Sequence, residues 1–207
     1  MGVTSFDIPI LEQIIKWHGI KSVIELGAQN NYSQPNLPAP YMREWWERNG
    51  IEWYTSIDLT GENKSLVLDL SNPIEIVDIE NWNADLVTDF GTSEHISDDG
   101  NSYGTGKFSW QAIYNCWLNK HNLLKEGGIM FSENPKTGNW PSHGFNYYTQ
   151  DFYTQLCEKS DYRIIELGEH AAMGNITDGW NIYAILQKTG DRFISFDDFT
   201  KLPLYKS

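Results

Sequence analysis

Short apolar segments alternate with segments of helical periodicity along most of this 207-residue chain. Seven predicted strands lie at 22–26, 51–59, 66–70, 84–90, 129–132, 162–167 and 180–187, and the main predicted helices at 7–18, 41–49, 72–79, 108–125 and 149–159. Parallel strands need long crossover connections, which are usually helices. The alternation therefore predicts one α/β domain over residues 1–207, in which a mostly parallel seven-stranded sheet with an antiparallel edge strand lies between two layers of helices.

The connection between the second and third predicted strands departs from this pattern. Residues 60–65 are too few for a helical crossover, which usually takes about a dozen residues. Either the boundaries of these strands differ from the prediction, or residues 66–70 form a short extended stretch off the main sheet.

The charge of the chain limits its partners. The formal net charge is −13 at pH 7 and no basic run is present, so a polyanion such as DNA or RNA would be repelled. No segment approaches the ~20 apolar residues that cross a bilayer, and residues 1–20 lack a signal-peptide pattern. Cys116 and Cys157 lie far apart in predicted helices, which fits a reducing compartment. We expect a cytoplasmic protein without nucleic-acid or membrane partners.

Acidic residues and glycines occur at the ends of four successive predicted strands. In an open parallel sheet, ligands bind beyond the carboxyl ends of the strands. Gly27 permits a close approach of backbone to a ligand, and Glu25 could accept hydrogen bonds from an amine or a ribose. Asp58 is placed to bind ribose hydroxyls, and Asp69 to accept from an exocyclic adenine amine. The fourth strand ends in the segment 89–95, Asp-Phe-Gly-Thr-Ser-Glu-His.

Each of these features has a structural alternative. A strand followed by glycine is common, and Asp58 could be the acid of a surface turn. Asp69 could be solvated or could cap the following helix. Glu94 and His95 could hold a structural hydrogen bond, a ligand or a proton. The conjunction of four strand ends, in the order that a nucleoside site requires, favours the binding interpretation.

At these residues the chain resembles the class I S-adenosylmethionine (SAM)-dependent methyltransferases, in particular their type 11 group. VIELGAQ at 23–29 is similar to the first motif of the family, SIDL at 56–59 to its ribose-binding acid and LVLDL at 66–70 to its adenine-contacting acid. DFGTSEHI at 89–96 and LLKEGGIM at 123–130 resemble two later motifs. The resemblance implies a Rossmann-like three-layer sandwich, SAM as the cofactor, and methyl transfer to a small-molecule or metabolite acceptor.

The resemblance also implies where the cofactor binds. The predicted binding residues are Glu25, Gly27, Ala28, Asp58, Leu59, Asp69, Leu70, Asp89, Gly91 and Thr92. The first motif lacks the second and third glycines of E-x-G-x-G-x-G, which favours an alternative, a non-catalytic accessory protein that binds SAM or S-adenosylhomocysteine (SAH). A second departure, that no helix fits between the second and third strands, concerns the pose of the cofactor. An NAD-dependent enzyme would instead require G-x-G-x-x-G after the first strand, which is absent.

The loop after the fifth strand carries the predicted catalytic residues. Methyl transfer needs a general base only if the acceptor is protonated at neutral pH. His143 is the predicted base, because an ordinary histidine pKa of roughly 6.5 suits proton transfer near neutrality; it could equally be a loop histidine bonded to backbone. Glu133, at the end of the strand, is the second candidate for a catalytic residue. The five histidines show no metal-ligand spacing, so no metal site is predicted.

Overall fold

The computed structural model describes residues 2–33, 41–75, 82–99, 106–171 and 179–206. The strands of the main sheet are β1 Ser22–Leu26, β2 Trp53–Asp58, β3 Leu66–Val67, β4 Ala84–Phe90, β5 Leu124–Pro135, β7 Tyr162–Ala171 and β8 Trp180–Lys188. Two short strands, β6 Asn146–Tyr147 and β9 Tyr205–Lys206, form a separate antiparallel pair. The helices are α1 Asp7–His18, α2 Met42–Arg48, α3 Trp110–Leu123, α4 Gln150–Lys159 and α5 Phe196–Phe199, and single 3-10 turns lie at 62–64 and 93–95.

The main sheet has the strand order β3-β2-β1-β4-β5-β8-β7. The neighbours from β3 through β5 are parallel. β8 runs antiparallel both to β5 and to β7, the strand at that edge. The predicted α/β class, a mostly parallel seven-stranded sheet with an antiparallel pairing at one edge, is confirmed.

Apolar clusters lie on both faces of the sheet. Leu11 of α1 and Trp46 of α2 belong to one cluster together with Val23 of β1. Trp117 of α3 belongs to the other, together with Ile24 of β1. Consecutive residues of β1 thus face opposite cores, as the alternation of side chains along a strand requires. Each of these side chains is buried and contributes ~1.5–3 kcal/mol.

Local sequence signals account for several helix ends. Ser109 caps α3, because its hydroxyl accepts a hydrogen bond from the N–H of Ala112 at 3.3 Å. Thr149 caps α4 in the same way, accepting from the N–H of Phe152 at 3.1 Å. Gly19 ends α1 in the left-handed conformation, with φ 62°. These caps satisfy backbone groups that have no partner within the helix.

The strand order reverses at β1. The chain leaves β1 for β2 and β3 on one side, and then crosses to β4 on the other side of β1. Leu26, the last residue of β1, is therefore opposite Ile57 of β2 and Asp89 of β4. At such a switch point the connections leave in opposite directions, and a crevice opens at the carboxyl ends of the strands.

Several predicted boundaries change in the structure. β3 pairs with β2 over two residues only, and the connection before it holds a 3-10 turn rather than a helix. β5 begins at Leu124 and continues to Pro135, because its antiparallel partner β8 extends the ladder to Asn181. The predicted helix at 72–79 lies partly outside the described residues, and residues 72–75 are not helical.

The two cysteines are buried, and neither forms a disulfide. Burial raises the pKa of both thiols to about 12, so they are protonated and unreactive at neutral pH. Within the described ranges, none of the helices combines the length and the apolar character that a bilayer crossing requires.

Candidate functional site

A cleft of about 350 Å³ opens at the carboxyl ends of β1, β2, β3 and β4. Its volume lies within the range of about 300–1,000 Å³ that small-molecule sites have. Eight of the ten predicted cofactor residues line it: Gly27, Ala28, Asp58, Leu59, Asp69, Leu70, Gly91 and Thr92. Glu25 and Asp89 do not line it. The lining also includes residues that were not predicted: Gln29, Asn30, Tyr32, Ile57, Thr60, Glu62, Leu68, His95 and Ile96.

Gly27 is held tightly at the end of β1. Its N–H donates to the carbonyl of Ile57 at 2.7 Å, and its φ is 75°. A Cβ at this position would lie 2.5 Å from Thr92 Oγ1 and 2.7 Å from Gln29 Nε2. Glycine is therefore required twice, by the left-handed backbone and by the close approach of two neighbouring side chains.

Buried amide side chains replace the two missing glycines of the first motif. Gln29 Nε2 donates to the carbonyl of Leu26 at 2.8 Å and to Thr92 Oγ1 at 2.9 Å. Asn31 Oδ1 accepts from the N–H of Ser33 at 3.0 Å. Gln29 Oε1 is buried in the cleft wall, and no donor in the described part of the chain reaches it. Buried polar atoms are normally hydrogen-bonded, so this oxygen is an unused acceptor beside the cleft.

Asp58 lies half-buried at the end of β2. Its Oδ2 accepts from the N–H of Ala28 at 3.1 Å, and its Oδ1 accepts from the N–H and the hydroxyl of Thr60 at 2.8 and 2.7 Å. An ionised carboxylate has about four acceptor positions. One position, on Oδ2, therefore remains for a ligand hydroxyl.

Asp69 is the second residue after β3 and also lines the cleft. Its Oδ1 accepts from the N–H of Ser71 at 2.9 Å, and its Oδ2 accepts from Asn72 Nδ2 at 2.8 Å. These bonds hold the turn that follows β3. Asp69 therefore both stabilises this turn and lies in the wall of the cleft.

Glu25 is fully buried beneath α2 instead of in the cleft. Its Oε2 accepts from the Tyr54 hydroxyl at 2.8 Å and from the Gln29 N–H at 3.2 Å, and its Oε1 accepts from Trp46 Nε1 at 3.3 Å. Burial raises the pKa of Glu25 to about 7. In this position the carboxyl group connects the first loop and α2 to the sheet.

Asp89 is fully buried beneath α3, where it forms an ion pair with Lys120. Its Oδ1 also accepts from the N–H groups of Thr92 and Ser93 at 3.0 and 3.1 Å. Burial acts to raise the pKa of Asp89, but the Lys120 ammonium and the hydrogen bonds lower it below its ordinary value. Asp89 therefore shapes the loop that carries Thr92 into the cleft wall.

The two predicted catalytic residues lie in different clusters. His143 Nε2 is 3.8 Å from Glu94 Oε1, and its ring centroid is 4.9 Å from that of His95. Glu133 Oε2 is instead 3.0 Å from His170 Nε2. Neither His143 nor Glu133 lines the cleft, whereas His95 does.

The group Glu94, His95 and His143 combines a buried carboxyl group with two imidazoles. Burial and the nearby Asp89 raise the pKa of Glu94 to about 8. Burial and His143 lower the pKa of His95 to about 4, and burial lowers that of His143. Both imidazoles are therefore neutral at pH 7. The sequence placed Glu94 and His95 at the right strand end, but no local signal linked them to a residue in the 133–148 loop.

Comparison with known proteins finds solved structures with a similar fold. No protein-family model and no curated protein sequence matches the chain. A solved structure of 1,6-didemethyltoxoflavin-N1-methyltransferase from Burkholderia thailandensis, with 1,6-didemethyltoxoflavin and SAH bound, is 12% identical with a TM-score of 0.58, over 88% of this chain and 77% of that chain. A SAM-dependent methyltransferase from Clostridium acetobutylicum is 12% identical with a TM-score of 0.53, over 90% of this chain and 92% of that chain.

A third solved structure is the N-methyltransferase NodS from Bradyrhizobium japonicum in complex with SAH. It is 11% identical with a TM-score of 0.52, over 90% of this chain and 89% of that chain. At these identities the likeness concerns the fold alone. The chain has the class I SAM-dependent methyltransferase fold, as the resemblance of its motifs predicted.

Proposed function

We propose that this protein is a SAM-dependent methyltransferase that acts on a small-molecule or metabolite acceptor. The observation that carries the proposal is the cleft at the switch point of the sheet, where Gly27, Asp58, Asp69 and Thr92 come together from four strand ends. The neighbours with SAH bound share this fold and support a nucleoside ligand for it.

The charge of the cleft favours SAM over a dinucleotide. Three carboxylates line it, those of Asp58, Glu62 and Asp69, and the described lining contains no Lys or Arg. An acidic cleft attracts a cationic sulfonium compound and disfavours the pyrophosphate of NAD. This agrees with the absence of G-x-G-x-x-G after β1.

Individual lining groups fit the parts of the cofactor. Asp58 accepts from a ribose hydroxyl through the free position on Oδ2, and Asp69 faces the adenine end. Gln29 Oε1 takes a donor from the amino-acid part, and Gly27 lets backbone approach it closely. When bound, SAM supplies an electrophilic methyl group. The chain then contributes mainly orientation of the acceptor, which can supply ~7–11 kcal/mol of the barrier.

The acceptor side of the cleft lies toward Thr92 and His95. An acceptor that carries a proton at neutral pH must lose it before or during transfer. The groups next to this side that can accept this proton are Glu94, His95 and His143. We place the protein in the cytoplasm, because Cys116 and Cys157 are buried free thiols.

Isothermal titration with SAM, SAH and NAD tests the proposal. We expect SAM and SAH to bind with one site per chain, and NAD not to bind. The acidic lining predicts that SAM, with its additional positive charge, gains more affinity than SAH when the salt concentration is lowered. Binding of NAD alone, or of none of the three compounds, would refute the proposal.

An accessory protein that binds SAM or SAH without turnover is the second candidate. The observation that favours it is the first loop, where the side chains of Gln29 and Asn31 occupy the positions of two motif glycines. A coupled assay for SAH release with a panel of hydroxyl, amine and thiol acceptors separates the two. Micromolar binding without release on any acceptor class supports the accessory role.

A further inference from the structure

We propose that Glu94, His95 and His143 form a binding site for one divalent transition-metal ion of the Zn²⁺ type at the border of the cleft. The three residues offer one carboxylate and two imidazoles, and their ligand atoms lie within 4.8 Å of one another. Zn²⁺ sites with two histidines and one glutamate are chemically common when a fourth position is kept open.

The environment of the Glu94 carboxylate favours a bound ion. Glu94 is completely buried, and neither of its oxygens has a hydrogen-bond partner in the described part of the chain. A buried carboxylate without a partner is costly, and buried charges are normally paired or bound to metal. For His143 Nε2, which is also buried, the described residues likewise offer no hydrogen-bond partner.

The spacing of the ligand atoms also favours an ion. Glu94 Oε1 lies 3.7 Å from His95 Nε2 and 3.8 Å from His143 Nε2. Both distances exceed that of a hydrogen bond. Ligand atoms bound at roughly 2.0–2.1 Å in tetrahedral geometry lie about 3.4 Å apart. The observed spacing thus fits ligands around an ion more closely than it fits direct contact.

Hydrogen bonds and close packing hold together the two segments that carry the ligand atoms. The N–H of Phe145 donates to the carbonyl of Glu94 at 2.8 Å, and Asn146 Nδ2 donates to the carbonyl of Ser93 at 3.1 Å. A Cβ on Gly144 would lie 2.8 Å from the Glu94 carbonyl oxygen. The loop that carries His143 is therefore closely packed on the 3-10 turn that carries Glu94 and His95, as a preorganised site requires.

A second cluster of two carboxylates and one histidine fits a metal ion less well. It consists of Asp7, Glu133 and His170. Glu133 and His170 already lie at ion-pair distance, 3.0 Å. Thr4 donates twice to Asp7 Oδ2, at 2.7 and 2.8 Å. None of these residues lines the cleft, so an ion there would lie outside it.

The location suggests what the ion would do. His95 lines the cleft, so a free coordination position on this side would meet the acceptor. A bound Zn²⁺ lowers the pKa of a coordinated oxygen or sulfur and orients it. His143 would then act as a ligand and not as the general base that its sequence position predicts. This role rests on the proposed function, whereas binding of the ion does not.

Titration of the metal-free chain with Zn²⁺, without SAM, tests the site. We expect one ion per chain, and intense visible absorption of a four-coordinate complex when Co²⁺ replaces Zn²⁺. His143→Ala should weaken Zn²⁺ binding by more than the about 10–100-fold that loss of an outer partner costs. Glu94→Gln should have a similar effect, and serves as the second variant if His143→Ala does not fold, as judged by circular dichroism.

Two control variants locate the ion. His18→Ala removes a surface histidine of α1, and His170→Ala removes the histidine of the second group; neither should change Zn²⁺ affinity. Loss of binding in His170→Ala with retention in His143→Ala would overturn the assignment, and so would absence of Zn²⁺ binding to the folded chain. SAH titration of the same samples shows separately whether the cleft binds the cofactor product.

Discussion

Glu25 and Asp89 are two fully buried carboxylates on neighbouring parallel strands, one register step apart. They face opposite sides of the sheet, because side chains alternate along a strand. Glu25 meets the neutral donors of Tyr54 and Trp46. Asp89 meets the ammonium group of Lys120. Burial raises the pKa of Glu25 to about 7, whereas the Lys120 ammonium lowers that of Asp89 against the effect of burial.

The comparison shows that an acid near the end of a strand does not by itself make a ligand site. Glu25 and Asp89 stabilise the layers on either side of the sheet. Asp58 lies at a similar height on β2, but its partners among the described residues are Ala28 and Thr60 and not helix residues, and it lines the cleft. Whether a helix supplies a partner decides between the structural and the ligand-facing role.

The largest expected effect concerns the ion pair of Asp89. Lys120→Met leaves a buried, unpaired carboxylate, and removal of one partner of a buried pair costs about 3–5 kcal/mol. We expect that loss in the free energy of unfolding, measured with urea. Lys21→Met is the matched control, because both partners of its ion pair with Glu52 are exposed and the pair is expected to contribute about 0–1 kcal/mol. Equal losses in both variants would contradict the structural role of Asp89.

The second prediction concerns the pH dependence that Glu25 causes. The pKa of Glu25 in the folded chain is about 7, against an ordinary value of 4.5, so the folded state holds a proton that the unfolded state releases. The contribution of Glu25 to the free energy of unfolding is fully present below pH 4.5. It is lost as the pH rises to about 7, by ~3 kcal/mol in total. Glu25→Gln removes the titration.

The measurement is the free energy of unfolding from pH 4.5 to 8 for wild type and Glu25→Gln. Subtracting the two curves cancels the other titrating groups. We expect the wild type to lose stability relative to the variant as the pH rises. A flat difference would mean that Glu25 is ionised in the folded chain and has a charged partner.

The third prediction concerns ligand binding. Asp58→Ala leaves a ribose hydroxyl unpaired and should weaken SAH binding by about 1–3 kcal/mol, or about 5–150-fold. Its free energy of unfolding should change by less than ~1 kcal/mol, because the carboxylate is only half-buried. Glu25→Gln should weaken SAH binding less than Asp58→Ala, as measured by isothermal titration. The reverse order would place Glu25 in the site after all.

The smallest expected effect compares two glycines in the same backbone conformation. Gly27 and Gly50 have φ of 75° and 79°, and a Cβ on Gly50 would meet nothing within 4 Å. Alanine at either position carries the left-handed strain of ~1–2 kcal/mol. Gly27→Ala should lose about 1 kcal/mol more, because the Gln29 amide can move only in part. Thermal unfolding measures the difference, and equal losses would mean that the loop relaxes freely around a Cβ.

Much of the fold could be predicted because its signals are local. The apolar runs at Ser22–Leu26 and Ala84–Phe90 became β1 and β4 without change, and Gly27 was placed correctly at the end of the first strand. The limits of β5 were not predictable, because they depend on pairing with distant strands. Leu124 joins the sheet by pairing with β4, and pairing with β8 extends the carboxyl end of β5. The pair β6 and β9 depends on residues almost 60 positions apart and has no local signal.

The sequence alone determined the alternation of strands and helices, the need for glycine at the first strand end, and the acids Asp58 and Asp69 beside the cleft. These features follow from side-chain periodicity and backbone conformation, which act over a few residues. Only the tertiary structure decided that Lys120 neutralises Asp89 and that His143 joins Glu94 and His95. Such partners are brought together by the packing of distant segments, and the energy of a buried charge depends on those partners.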